Sequence, residues 1–207
     1  MRDHEHMSDD PTHVREFFGA RAADWDSRFP DDGPAYAAAV DELGLRPGDA
    51  VLDAGCGTGR ALPPLRAAVG PSGTVLGADL TPEMIERAVS AGRGGEDGGT
   101  LLLADVGRLP VRDGALDAVF GAGLISHLAE PVADLRELAR VVRPGGKLAL
   151  FHPIGRAALA ARHGRQITPD DLRAEPRLRP LLAEAGWRLV SYVDEDARYL
   201  ALAVRED

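Results

Sequence analysis

Lysine is nearly missing from this chain: Lys147 is the only one, and arginine supplies the remaining positive charge. That skew reads as genome composition rather than function. Cysteine is as scarce. Cys56 stands alone, so no internal disulfide can form, which agrees with a reducing cytoplasm as the expected compartment. No apolar run approaches the roughly 18 residues of a membrane span, and no membrane association is expected. Met1 to Thr12 is polar and acidic, without the apolar core of a secretory signal. A cationic block is also lacking. The net charge of −9 argues against a DNA or RNA substrate, because nucleic-acid binding rests on a basic stripe.

What is present suits a folded domain with a sizeable core: 207 residues, 44% hydrophobic and 28% charged. We expect Met1 to Thr12 to form a disordered tail, in which His4 and His6 are tail residues rather than metal ligands. No metal is expected. Residues 13–207 are expected to form a single domain without internal repeats.

The chain is organised around Val51-Leu52-Asp53-Ala54-Gly55-Cys56-Gly57-Thr58-Gly59-Arg60. A short apolar run ends in an acid, three glycines alternate, and a helix can then start. That is a strand, a tight turn and a helix N-terminus. Glycine is needed where backbone takes positive φ or touches a ligand closely. Gly55, Gly57 and Gly59 leave the turn almost bare, so a flat ligand can lie against peptide groups. An ordinary βα turn uses one glycine and seldom three. The dinucleotide fingerprint G-x-G-x-x-G/A fits Gly55 and Gly57 but puts Arg60 where a small residue is required. This argues against a nicotinamide-dependent oxidoreductase. Cys56 lies inside the turn with no base beside it, so it is not expected to act as a nucleophile.

The spacing of apolar residues predicts the remaining elements. Val14 to Phe29 reads as helical, with Phe17, Phe18, Arg21 and Trp25 on one face. Pro34 to Leu43 is a helix, and Ala50 to Asp53 the first strand. The helix after the glycine turn should begin late or be distorted, because Pro63 and Pro64 lie in it. Strands follow at Thr74 to Ala78, Thr100 to Leu103, Leu116 to Phe120 and Lys147 to Phe151. Thr81-Pro82-Glu83 opens a helix with Thr as N-cap. Gly92 to Gly99 should be a mobile surface loop. Pro131 starts a helix whose Val132, Leu135, Leu138 and Val142 face inward and which Arg143-Pro144-Gly145-Gly146 stops. Thr168-Pro169-Asp170-Asp171 carries a capping pattern and predicts another helix start. Leu178 to Ala185 is the last helix. Trp187 to Val193 and Tyr199 to Val204 then form a hairpin. The fold predicted is α/β: a doubly wound, Rossmann-like, seven-stranded sheet, mostly parallel, with one antiparallel strand from the C-terminal hairpin.

The first three strands end in acids: Asp53, Asp79 and Asp105. Ligands of such sheets bind outside the carboxyl ends of the strands. Asp79, about twenty residues past the glycine turn, stands where a carboxylate accepts from ribose hydroxyls. A helix-capping acid is the alternative reading.

The D-x-G-x-G-x-G stretch resembles the glycine motif of class I S-adenosylmethionine-dependent methyltransferases. Gly77-Ala78-Asp79-Leu80-Thr81-Pro82-Glu83-Met84, Ala104-Asp105-Val106 and Leu138-Ala139-Arg140-Val141-Val142-Arg143-Pro144-Gly145-Gly146 match in the same order. The N-terminal segment is similar to that of the quinone-biosynthesis-type small-molecule enzymes, with Trp25-Asp26 standing where those carry Tyr-Asp. The resemblance implies S-adenosyl-L-methionine as cofactor. It places Asp53 by the ammonium group, Gly55, Cys56, Gly57 and Gly59 under the ligand, and Asp79 on the ribose. Asp105 and Val106 meet the adenine. Leu80 and Met84 cover its other face, plain core packing being their alternative. Gly121 and Ala122 pass beneath the methionine part, and Trp25 belongs to a cap over the cleft. A base helps if the acceptor is a hydroxyl or an acidic carbon. His127 and His152 are the candidates, and a structural histidine is the alternative for each. Ile154 to Ile167, with Arg156, Arg162, His163 and Arg165, lies where a substrate lid is often inserted. It reads either as a solvated basic helix or as recognition of an anionic or polar acceptor. The function implied is methylation of a small-molecule acceptor on oxygen or carbon. A nonenzymatic S-adenosylmethionine-binding protein is the main alternative, and the oligomeric state is not readable.

Overall fold

The computed structural model describes residues 11–28, 30–95 and 98–207. Seven strands form one sheet: β1 (Ala50–Ala54), β2 (Thr74–Asp79), β3 (Thr100–Leu103), β4 (Leu116–Ala122), β5 (Val142–His152), β6 (Trp187–Glu195) and β7 (Arg198–Arg205). Their order is β3-β2-β1-β4-β5-β7-β6. β7 runs antiparallel to both β5 and β6, and every other pairing is parallel. The predicted architecture is therefore the observed one. The chain leaves β1 towards β2 and β3, then crosses back to β4 on the other side of β1. Beyond the carboxyl ends of β1 and β4 the connections diverge and open a crevice.

Strand alternation sorts the core into two layers. On β1 and β4, Val51, Ala118 and Phe120 point to one face, which α3 (Gly33–Leu43) and α4 (Leu62–Val69) cover. Leu52 and Val119 point to the other, covered by α6 (Pro131–Val141) and α8 (Glu175–Glu184). Both faces are buried, as parallel strands require. The helix after the glycine turn does begin late, at Leu62. Pro63 and Pro64 fall in its first turn, where amide protons have no intrahelical partner to lose.

Several expectations need correcting. The N-terminal helical run is broken: α1 (Pro11–Gly19) ends, a 3-10 turn spans Ala22–Asp24, and α2 covers Trp25–Arg28. Gly19 lies against α5 (Pro82–Ser90), where a Cβ would come within 3.1 Å of Glu83 Oε2. Phe29 lies outside the described residues. Val142 does not extend α6 but opens β5. Arg143 to Gly146 bulge out between the pairs Leu116–Val142 and Ala118–Lys147. A side chain at Gly146 would collide with Val142 and with the Asp117 carbonyl. Residues 168–174 form turns rather than a helix, and α8 starts only at Glu175. Asp171 is taken there by the backbone and side chain of Arg173 and by Arg156, so side-chain bonds override the capping pattern. Thr81 occupies the N-cap of α5 but makes no side-chain cap bond. Of the expected tail, Pro11 and Thr12 begin α1, and residues 1–10 lie outside the described residues. In the expected mobile loop, Gly95 pairs with Gly99, while Glu96 and Asp97 lie outside them. Among the described residues no helix is long and apolar enough to cross a membrane.

Trp187 closes the layer under α6. It is fully buried, and its indole N–H donates to the Leu135 carbonyl at 2.9 Å. Trp187→Phe removes that bond and leaves a void, so urea unfolding should show a loss of about 1–3 kcal/mol. A loss below about 0.5 kcal/mol would show that this contact does not brace α6 against the sheet.

Candidate functional site

Asp53 and Ala54 end β1, and the chain turns at Gly55, Gly57 and Gly59 with φ of 66°, 53° and 79°. A side chain would be strained in all three. The turn is held from β2. The Cys56 amide donates to the Ala78 carbonyl at 3.0 Å, and the Gly57 amide donates to Asp79 Oδ2 at 2.8 Å. Asp79 Oδ1 accepts the Thr81 amide at 2.8 Å, where α5 begins. Burial raises the Asp79 pKa, and these bonds from Thr81 and Gly57 oppose the rise. Burial, with smaller effects from Asp53 and Asp79, pushes the Cys56 thiol up. It stays protonated, which rules it out as a nucleophile.

A cavity of about 480 Å³ opens over this turn. Asp53, Gly55, Cys56, Gly57, Asp79, Leu80, Met84, Asp105, Val106, Ala122, Trp25, His127 and His152 all line it, so the structure gathers thirteen of the fifteen residues singled out from the sequence. Gly59 and Gly121 stand behind the lining. A Cβ on Gly59 would meet Leu62 Cδ1 at 2.9 Å, and one on Gly121 would meet Leu124 Cδ2 at 2.9 Å. Both glycines allow close packing at these positions.

Asp53 lies on the cavity floor, 1% exposed, and its Oδ2 has no hydrogen-bond partner. Burial, with the Asp79 charge as the lesser cause, pushes its carboxyl up to about 8. Asp105 follows β3 and accepts the Gly107 amide at 2.9 Å. Asp134, in the first turn of α6, also faces the cavity. Burial raises its pKa, and the Asp105 and Glu130 charges add to the rise. Nothing in its sequence context separates Asp134 from an ordinary acid at a helix start.

His152 ends β5. Its Nδ1 is 2.8 Å from the Ile154 carbonyl and 3.1 Å from the Ile154 amide. With the proton on Nδ1, donated to that carbonyl, Nε2 is left as the acceptor. Burial lowers its pKa, opposed by the Ile154 bond and helped by the Arg173 charge. The imidazole is therefore neutral at pH 7. His127 packs edge-to-face on Phe18, centroids 5.0 Å apart. Phe18 in turn meets Phe17 at 5.1 Å and Trp25 at 5.4 Å, and the Arg21 guanidinium lies 3.7 Å from the Phe17 ring centroid. The aromatic face predicted for one helix thus survives the break between α1 and α2.

Three residues far apart in sequence pin this cap to the turn. The Thr58 hydroxyl donates to Asp26 Oδ1 at 2.6 Å. Arg93 donates to Asp26 Oδ2 at 2.7 Å and to the Thr58 carbonyl at 2.8 Å. Sequence reasoning missed Thr58 and Arg93, which carry no motif of their own. It also missed Tyr36, a lining residue whose ring meets Phe151 edge-to-face, centroids 5.1 Å apart. Arg156, expected in a basic lid, instead turns inward to Asp171 and Asp194. His163 and Arg165 do line the cavity, as does Arg173.

Asp26→Ala removes the acceptor for both Thr58 and Arg93. At about a quarter exposure of each partner, the ion pair contributes about 1 kcal/mol or less, and the buried hydroxyl about as much again. Trypsin should then cut after Arg15 or Arg21 several-fold faster while the rest of the fold resists. An unchanged cleavage rate would mean that the cap is held by its aromatic contacts alone.

Residues 52–150 match the profile of the family described as "Methyltransferase domain". The chain is 29% identical to an arsenite methyltransferase of Halobacterium salinarum over 167 residues, which is 73% of this chain and 40% of that protein. It is 29% identical to a demethylmenaquinone methyltransferase of Beutenbergia cavernae over 181 residues, 75% of this chain and 72% of that one. The solved structure of an S-adenosylmethionine-dependent methyltransferase from Aquifex aeolicus superposes with a TM-score of 0.69 at 26% identity, covering 95% of this chain and 98% of the other. The chain spans less than half the length of the first curated relatives it matches.

Proposed function

The chain belongs to the class I S-adenosylmethionine-dependent methyltransferases, and from that premise we propose that it methylates a small-molecule acceptor on oxygen or carbon. The observation that carries this reading is Asp53. A buried carboxyl with an unpartnered oxygen is costly, and an ammonium group is the complement it lacks. The residues present fit S-adenosylmethionine. Asp53 would take its ammonium group, and Ala122 would border its methionine part. Asp79 would accept from the ribose hydroxyls. Asp105 and Val106 would meet the adenine, with Leu80 and Met84 on the opposite face. Gly55 and Gly57 would offer bare peptide to the ligand, Cys56 would stay a packing residue, and Gly59 and Gly121 would hold the lining close from behind.

When bound, S-adenosylmethionine supplies a methyl group already made electrophilic by its sulfonium. What falls to the protein is orientation, exclusion of water and, for a hydroxyl or carbon acid, removal of a proton. Trp25 and Phe18 close the cleft from the cap. His152 is the proposed base, its Nε2 taking the acceptor's proton while Ile154 holds the other ring nitrogen. His127, on the edge of the aromatic cap, is the second candidate. A cytoplasmic location, without nucleic-acid or membrane partners, is part of the proposal. It is supported by the lone buried cysteine and the acidic net charge.

The test is binding followed by turnover. S-adenosylhomocysteine should raise the melting temperature and NAD should not. Release of S-adenosylhomocysteine from S-adenosylmethionine only when an acceptor is present separates an enzyme from a binding protein. His152→Ala should lower that turnover by about 10²–10⁴-fold with cofactor affinity kept, and His127→Ala is the control for the second base. Full activity in both variants would remove the histidine base.

Asp53 makes binding depend on pH. Its folded pKa of about 8 exceeds the ordinary carboxylate value, so at pH 6 the carboxyl keeps its proton. It ionises as pH rises through 8, and only the ionised form attracts an ammonium. Calorimetry should find S-adenosylhomocysteine bound up to about tenfold more tightly at pH 8.5 than at pH 6, with the dependence lost in Asp53→Asn. The same shift has the opposite sign for the ligand-free fold. The native state binds this proton more tightly than the unfolded chain, so its contribution to stability falls between about pH 4 and pH 8. A wild-type affinity independent of pH would take Asp53 out of the ammonium site.

A further inference from the structure

The cavity is charged oppositely at its two ends. Along the carboxyl edge of the sheet, Asp105 follows β3, Asp79 ends β2 and Asp53 lies next to the end of β1, while Arg60, which also lines the cavity, is paired with Asp32 at 3.5 Å. The tip of β4 is neutral, ending in Ala122 and Gly123. Past β5 the lining turns cationic, with Arg165 and Arg173 alongside the neutral His152 and with His163. Strands lie about 4.8 Å apart, so β5 stands roughly 10 Å from β1, a separation that leaves room for a second small molecule beside the first.

Arg173 is built into this wall rather than hanging over it. Its Nε and Nη2 form a two-pronged pair with Asp171, both at 3.1 Å, and its amide donates to the same carboxylate at 2.9 Å. Its carbonyl accepts the Tyr192 hydroxyl at 2.9 Å. Arg156 binds the second oxygen of Asp171 at 3.0 Å and also Asp194. Asp171 is thus shared between two guanidinium groups and neutralises neither completely. A guanidinium held along one edge keeps its remaining N–H groups in a fixed plane, an arrangement suited to carboxylate or phosphate oxygens. Arg165 and His163 stand exposed in the lining, where Arg165 adds positive charge to the approach and His163 offers a ring N–H.

We propose that the wall formed by Arg173, Arg165 and His163 is the acceptor subsite, and that it takes a small organic anion by its carboxylate or phosphate group. This rests on the methyltransferase reading and adds the acceptor's chemical class to it. The anion is bound away from the carboxylate end, which repels it. Its nucleophilic atom is then directed towards His152 and the neutral tip of β4.

The experiment uses the full chain saturated with S-adenosylhomocysteine, titrated by calorimetry at constant ionic strength with benzoate, inorganic phosphate and the uncharged isostere benzamide. Benzoate or phosphate should bind about tenfold or more tightly than benzamide, and whichever of the two binds tighter identifies the anionic group. Arg165→Gln, at an exposed position with no structural role, should weaken the anion several-fold. Arg173→Lys keeps the charge but loses the planar fork, and should weaken it further. Neither variant should change S-adenosylhomocysteine affinity. Equal binding of benzoate, phosphate and benzamide, or anion binding that survives the double variant, overturns this inference and leaves the methyltransferase reading intact. Failure of S-adenosylhomocysteine to bind the wild-type chain overturns that reading instead.

Discussion

The Asp79 carboxylate accepts two amide protons that belong to different elements, and the geometry of the site follows from that sharing. One comes from Gly57, in the turn after β1, and the other from Thr81, at the start of α5. Three glycines at positive φ give the turn its shape but no stiffness, because glycine has the most conformational freedom to lose. A carboxylate on the neighbouring strand supplies the stiffness from outside. The bare peptide surface is thereby fixed in space, and α5 with Met84 is set against it. The same carboxylate faces the cavity, so the group that anchors the turn is also placed to meet what lies on it.

Above the turn the cap is tied by a second shared acid. Asp26 draws in the Thr58 hydroxyl and the Arg93 guanidinium, and Arg93 returns to the Thr58 carbonyl. Cap, turn and the segment just after α5 are therefore one hydrogen-bonded unit. The aromatic contacts from Phe17 through Phe18 to Trp25 and His127 fill the space between them. Polar bonds set where the cap sits, and apolar contact keeps water out of the space beneath it.

The electrostatics follow from strand order. Acids at the tips of three adjacent strands crowd one end of the cavity, and burial leaves Asp53 with a pKa near 8. Arginines from the segment after β5 gather at the other end. A cavity with opposite charges at its two ends can hold a cationic and an anionic molecule side by side. Burial raises the carboxyl pKa values of Asp53 and Asp134, and the neighbouring carboxylates add a smaller part.

Much of this was legible in the chain. Period-two apolar runs, glycine spacing and proline positions announced the strands, the turn and the late start of α4, because these signals act within a few residues of themselves. The misreadings arose where distant groups intervened. Val142 looked like the last inward residue of a helix and Arg143 to Gly146 like its stop, but Val142 opens β5 and the four residues after it bulge, since β4 offers β5 its edge. Thr168 looked like a cap, yet Asp171 is claimed by Arg156 and Arg173. By itself the sequence determined the alternation of strands and helices, the bare turn and the acids at the strand tips, all of which depend on local backbone preference and burial. Only the tertiary structure decided that Asp26, Thr58 and Arg93 meet, that Asp134 faces the cavity and that Arg173 stands beside His152. Those contacts join positions tens of residues apart, and no local preference encodes which of many like charges will become neighbours.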